Sequence, residues 1–496
     1  MARIRRLTLA LMLTTAGMAS VPAAAGASAT QMSVIEDSAV FLGLTDRNPD
    51  TALAEARSLG ADAVRMYVSW RRASPDPTQY AVPAGFDPAN PDSTGYDWGP
   101  YDQLVRRARA HGLKVIITVG PAMPYWASLE PARCPHPIGN KRKLGLSCYW
   151  KPDPVLYGKF VGAVAKRFKG KASFYSLWNE PNLENYLLPQ RMKTSAGIVD
   201  MGGKQLRELY IAGYRAIRAN DRAGSGRVLF GETSAISSPR DTLFSALCLN
   251  RRGRPYTGAM KRLQGCAKPS MLPIGGLAVH PYNQNALGTV FSTSRTKASM
   301  PMAYLSRADR LLAVAEKYKR VPKKRGIFIT EFGFQSQPAN ARGLSPDGQA
   351  RALNESDRLF FADKRVKSVA QFELFDVPDT PFEDIFNTGL RQLDGAAKPS
   401  LAAWRLPLVV TRLRSNRVEI WGQVRPARGR ARAVVQVAAS ASGPFRTLKR
   451  VRTNPAGYFR FELKRGRAAK LHYRLSWSGH TSRLAGAGRR IKYRKG

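Results

Sequence analysis

Two glutamates carry the chemistry most readily seen in this chain. Glu180 closes the apolar run Phe174-Tyr-Ser-Leu-Trp-Asn-Glu180, and Glu331 closes Gly326-Ile-Phe-Ile-Thr-Glu331. A carboxylate at the exit of a buried strand is costly unless it is paired or used. Two that converge can divide a hydrolysis, one moving a proton and the other attacking. Glu232 ends a third run, Arg227-Val-Leu-Phe-Gly-Glu232, as a rival carboxylate or a partner for Arg65 in Ala63-Val-Arg65. Glu373 and Asp376, in Phe372-Glu-Leu-Phe-Asp376, are candidates for bonding substrate hydroxyls. Trp70, Tyr125, Trp126 and Phe375 can offer flat apolar faces to a substrate. Trp178 beside Glu180 can limit that acid's solvation.

The elements that must position these groups alternate between strands and helices. Expected strands are Val40–Leu44, Ala63–Val68, Leu113–Gly120, Ser173–Trp178, Arg227–Glu232, Leu277–His280, Ile327–Thr330 and Val369–Phe375. Helix-sized amphipathic segments follow them, such as Tyr101–His111, Tyr157–Phe168, Gln205–Ala219 and Tyr304–Tyr318. Eight strand–helix units predict an α/β fold, a (β/α)8 TIM barrel, whose strand ends converge on one pocket. A doubly wound sheet is disfavoured because no Gly-rich fingerprint follows an early strand. After about Pro407 period-two runs take over, including Val418–Val424, Ala433–Ala438 and Gly457–Glu462, and predict a small Ig-like β-sandwich. The expected domains are thus a leader over 1–29, a barrel over 30–407 and an ancillary sandwich over 408–496. Glu180 and Glu331 then stand at the ends of the fourth and seventh barrel strands.

Trp178-Asn179-Glu180-Pro181 resembles the Asn-Glu-Pro motif of clan A glycoside hydrolases, and Thr330-Glu331-Phe332-Gly333 resembles their nucleophile strand. The resemblance spans residues 35 to 405, and is closest to the cellulase-like and xylosidase/exopolysaccharide-hydrolase-like branches. It implies that Glu180 is the acid/base, Glu331 the nucleophile, and that anomeric configuration is retained. It further implies that Asn179 bonds the sugar 2-hydroxyl and that Arg65 holds the nucleophile carboxylate ionised. His280-Pro281-Tyr282 matches a His-x-Tyr pattern, with His280 on a substrate hydroxyl and Tyr282 orienting Glu331. Strand eight departs from the clan, which often places a tryptophan where Phe372-Glu-Leu-Phe-Asp376 stands. No metal or organic cofactor is expected. The competing class is a noncatalytic polysaccharide-binding or wall-associated barrel.

Arg3, Arg5 and Arg6, the apolar stretch Leu7–Met18 and Ala27-Ser28-Ala29 read as a secretory leader, too short for a membrane span. No later run has the length of a transmembrane segment, so a secreted or cell-wall location is expected. Four cysteines allow three pairings. Local closure, Cys134 with Cys148 and Cys248 with Cys266, is preferred because each pair brackets a long loop. These loops, from Pro121 to Asp153 and from Ser237 to Ser270, are expected to rim the pocket. The formal charge of +44 predicts attraction to an anionic cell-surface polymer, besides the oligo- or polysaccharide substrate. No recognition helix, zinc finger or aromatic-studded basic stripe points to nucleic acid.

Overall fold

The computed structural model describes residues 31–135, 147–283, 297–377 and 386–494. The expected leader lies outside the described residues. Eight parallel strands close into a barrel: β1 (Met32–Glu36), β2 (Ala63–Ser69), β3 (Lys114–Gly120), β4 (Ala172–Leu177), β7 (Val228–Ser234), β8 (Gly276–His280), β9 (Gly326–Ile329) and β10 (Val366–Phe372). Between β4 and β7 a small hairpin intervenes, β5 (Arg191–Thr194) with β6 (Gly197–Asp200). Strands β2, β3 and β7 read as near-continuous buried runs because helices cover one face and barrel-filling side chains the other. Helices such as Pro154–Arg167 and Met201–Asn220 begin on Asp153 and Asp200, whose carboxylates accept from first-turn N–H groups.

The first strand departs from the sequence expectation. Val40–Leu44 is not a strand; a short helix, Ser38–Phe41, takes its first two residues and a turn follows, and Asp37 caps that helix by accepting from the Val40 N–H at 3.3 Å. Strand β1 lies earlier, at Met32–Glu36, pairing with both β2 and β10 to close the barrel. The last barrel strand likewise ends at Phe372, so Glu373 and Asp376 lie beyond it.

The C-terminal part holds two antiparallel sheets. One is β11 (Leu408–Arg412), β12 (Arg417–Gln423) and β15 (Tyr458–Lys464). The other joins β13 (Arg432–Ala438), β14 (Arg446–Arg452), β16 (His472–Trp477), β17 (His480–Thr481) and β18 (Ala485–Gly486). Val410, Ile420 and Val418 from the first meet Val435, Val437 and Leu475 from the second in one core. The first sheet also faces the barrel: Phe361 packs against Trp421 and Tyr458, and Arg358 pairs with Glu419 at 2.7 Å. Arg425 ties the parts further, binding Ser33 and Asp357.

Both disulfides pair locally as expected, Cys134–Cys148 and Cys248–Cys266. Each restricts the unfolded chain enough to add about 2–4 kcal/mol. No helix among the described residues is long and apolar enough to cross a membrane.

Candidate active site

Arg65 organises the barrel mouth from inside β2. Its guanidinium is buried, with Nη1 on Glu36 Oε2 and Glu331 Oε1 (both 2.8 Å). Nη2 binds Glu232 Oε2 and Asn179 Oδ1 (both 3.1 Å), and Nε binds Thr118 Oγ1 (2.8 Å). All five guanidinium N–H donors are therefore used. The acceptors come from β1, β3, β7 and the exits of β4 and β9, so one side chain connects widely separated segments. A buried cation survives only when so paired.

The carboxylates divide by exposure. Glu36 and Glu232 side chains are 4% and 0% exposed, whereas those of Glu180 and Glu331 each keep 12%. Only the latter pair presents an edge to a substrate. Glu232 accepts instead from Arg65, from His280 Nε2 at 2.7 Å and from Thr330 at 3.0 Å, so its carboxylate is committed to interior partners. Burial alone would raise its pKa, but Arg65's charge and the hydrogen bond and charge of His280 outweigh it and pull it down to about 2.

His280 reaches both layers. Its Nδ1 lies 3.0 Å from Glu180 Oε1 and 3.4 Å from Glu331 Oε2. Burial would depress its pKa, yet Glu331's charge and the bonds to Glu180 and Glu232 push it up to about 10. The ring is therefore an imidazolium at neutral pH, donating from both nitrogens. Tyr282 places its hydroxyl 3.3 Å from Glu331 Oε2. Contrary to the expected effect of a neighbouring arginine, Glu331 ends with a raised pKa. Burial raises it, His280 and Arg65 oppose this, and the charges of Glu180 and Glu232 raise it further.

Backbone geometry turns Glu180 toward this centre. Trp178 and Glu180 adopt left-handed φ values of 69° and 41°, strained for residues with side chains. The Glu180 N–H is anchored on the Glu232 carbonyl at 2.8 Å. Oxygens of Glu180 and Glu331 come within 4.8 Å of each other, with His280 Nδ1 in the same triangle. Such a triad could ligate a metal only with a neutral imidazole. Both Glu331 oxygens are already engaged, Oε1 by Arg65 and Oε2 by Tyr282 and His280 Nδ1.

Several predicted contacts are corrected. Trp178 is fully buried, its ring against Tyr157 and its Nε1 donating to the Tyr186 carbonyl at 3.0 Å, so it backs the motif and cannot touch sugar. Trp126 is 3% exposed and packs edge-on against Trp70 and Phe86. Trp70 is buried likewise. Asp376 is committed to Lys398 in a buried ion pair at 2.6 Å, away from any hydroxyl-binding role. Glu373 is buried near Tyr282, where its charge helps raise that phenol's pKa behind burial and the charges of Glu331 and Glu180. Glu36 and Thr118 were missed. Glu36 follows Val34 and Ile35 just as Glu232 follows its own run, and that repeated signal was masked by the misplaced first strand.

Beside the carboxylates opens a cleft of about 1530 Å³, beginning at Asn182 and Leu183 and reaching Gln335 and Phe386. Ser237 and Tyr256, from the stretch stapled by Cys248–Cys266, form one wall, and the β5–β6 hairpin forms another through Arg191 and Ile198. The stretch from Pro121 to Asp153 contributes nothing to it among the described residues. Its bridges join Met123 to Cys148 and Trp150 to Leu188, which itself lines the cleft.

By sequence, no protein-family model and no curated protein matches the chain. By structure, a glucosidase from Croceicoccus marinus superposes with a TM-score of 0.52 at 14% identity, covering 88% of this chain and 93% of that one. The two share a barrel fold. A family 39 glycoside hydrolase from Bacteroides cellulosilyticus reaches 0.48 at 14% identity, over 90% of this chain and 80% of its own. At 14% identity the likeness to the glucosidase is one of architecture alone.

Proposed function

We propose that this chain is a secreted retaining β-glycoside hydrolase acting on a cell-wall or extracellular polysaccharide. Its barrel spans 30–407 and an ancillary Ig-like sandwich spans 408–496. The observation carrying this reading is the approach of Glu180 and Glu331 to within 4.8 Å, the only two groups of the buried charge cluster with a solvent-facing edge. Retaining enzymes hold their carboxyl groups about 5–5.5 Å apart, while inverting enzymes need about 6.5–9.5 Å to admit water. Carboxylate oxygens this close suit the tighter, retaining arrangement. The two disulfides support an oxidising, exported setting.

In this mechanism Glu331 attacks the anomeric carbon while Glu180 gives its proton to the departing oxygen. Arg65 and Tyr282 hold the attacking carboxylate from one side. Formation of the glycosyl ester removes Glu331's negative charge, so the now deprotonated Glu180 can take a proton from water as the water oxygen bonds the same carbon and the ester bond to it breaks, releasing Glu331 as a carboxylate. Asn179 spends its Oδ1 on Arg65, which leaves its amide N–H for the sugar 2-hydroxyl.

Glu331→Gln and Glu180→Gln should each lower kcat by 10³-fold or more with thermal midpoints near native, measured on oligosaccharides of glucan, xylan, mannan, galactan and arabinan. NMR of the first-formed sugar should show the substrate's own anomer. Full activity in either variant, or an inverted first product, contradicts the assignment.

A further inference from the structure

Residues 408–496 carry twenty-three Lys or Arg against two carboxylates, Glu419 and Glu462. Both carboxylates sit on the barrel-side sheet: Glu419 opposes Glu462 across β12 and β15 and pairs with Arg358, while Glu462 pairs with Arg417. The other sheet receives no negative charge. On β13, Ala433, Val435 and Val437 point into the core, so Arg432, Val434 and Gln436 point away from it. Their cross-strand partners share that outward face: Arg452, Arg450 and Thr447 on β14, then Ser476 and Arg474 on β16.

Arg432 and Arg452 thus stand directly opposite each other, a like-charge pairing that destabilises a sheet. Arg450 follows about 6–7 Å along the strand. These three are exposed, with no carboxylate partner among the described residues. Arg474 is held in place by Gln436 at 2.8 Å and by stacking over Phe445 at 4.1 Å. The face lies on the side of the sandwich opposite the barrel contact made by Trp421 and Tyr458.

We propose that this outward sheet face binds a polyuronate, a polysaccharide bearing carboxylates along its chain. Guanidinium forks match carboxylates in bidentate geometry. Gln436, Thr447 and Ser476, interleaved among the arginines, supply neutral partners for sugar hydroxyls, which a polyphosphate lacks. A duplex would need an element shaped for its groove, and single-stranded nucleic acid an open aromatic platform; here the one aromatic, Phe445, is covered by Arg474. Bound carboxylates would relieve the repulsion between Arg432 and Arg452.

The test is binding of fluorescent polygalacturonate to the full chain, which needs no turnover and so stands apart from the hydrolase reading. Native protein should bind in low salt and weaken steeply as salt rises. Arg432→Gln/Arg450→Gln/Arg452→Gln should bind at least tenfold more weakly, and Arg450→Gln alone about threefold. Arg106→Gln/Arg109→Gln/Arg218→Gln, losing as many exposed charges from barrel helices, should stay within twofold of native. Circular dichroism and the thermal midpoint should show the triple face variant folded, with a midpoint unchanged or higher. Equal loss in the two triple variants, no binding by the native chain, or equal affinity for polyphosphate or duplex DNA would each overturn the proposal.

Discussion

At the scale of single residues, the centre depends on how Arg65 and Tyr282 share Glu331. Tyr282 makes one hydrogen bond to the carboxylate. Tyr282→Phe should therefore lower kcat/KM by about 10- to 100-fold through loss of orientation, with little change in stability. Steady-state kinetics together with a melting curve distinguish this from a folding defect, and an unchanged kcat/KM would remove Tyr282 from the mechanism. Arg65 differs because its single positive charge is shared by three carboxylates, Glu36, Glu232 and Glu331. Arg65→Met leaves buried charges uncompensated, and the expected loss is about 3–5 kcal/mol in urea unfolding. A loss below 1 kcal/mol would mean that the carboxylates simply take up protons.

At the scale of elements, close approaches set the strand ends. A Cβ on Gly120, at the end of β3, would lie 2.5 Å from the Tyr67 hydroxyl. That phenol donates to the Pro121 carbonyl beside the site. Gly120→Ala should destabilise the chain by about 1–3 kcal/mol through overpacking, and differential scanning calorimetry would detect it. The same scale explains what was legible and what was not. Strands β2, β3, β4, β7, β8 and β9 announced themselves by apolar runs and turn residues, and their bounds held within one or two positions. Strand β1 did not, because five residues of Met-Ser-Val-Ile-Glu weigh little beside Val40-Phe-Leu, and only pairing to both β2 and β10 decides between them. The β5–β6 hairpin was missed since Met192 and Ile198 are exposed and its strands lack a core-facing period.

At the scale of the molecule, the buried charges make stability depend on pH in two directions. His280 binds its proton more tightly when folded, at about 10 against 6.5, so its stabilising contribution is complete below 6.5 and is lost as pH rises toward 10. Glu232, at about 2 against 4.5, contributes fully above 4.5 and loses this as pH falls toward 2. These two contributions are complete together between pH 4.5 and 6.5, whereas Glu36 and Glu331, whose pKa values burial raises, lose theirs as pH rises above the ordinary carboxylate range. The stability advantage of native protein over His280→Gln should shrink from pH 6.5 to 10, measured by urea unfolding. A constant difference would contradict a protonated His280.

The sequence by itself determined the eight-unit barrel pattern and the two apolar runs ending in Glu180 and Glu331, because each is written in short-range period and spacing; it favoured local cysteine pairing among three possibilities, and the folded chain decided it. Tertiary structure decided which candidates reach a substrate. Trp126, Trp178, Asp376 and Glu232 look as available as Glu180 in a linear text, yet packing buries them or commits them to Tyr186, Lys398 and Arg65. The physical reason is that exposure and charge pairing are sums over neighbours far away in the chain. Glu36 and Glu331 are 295 positions apart and still share one guanidinium nitrogen.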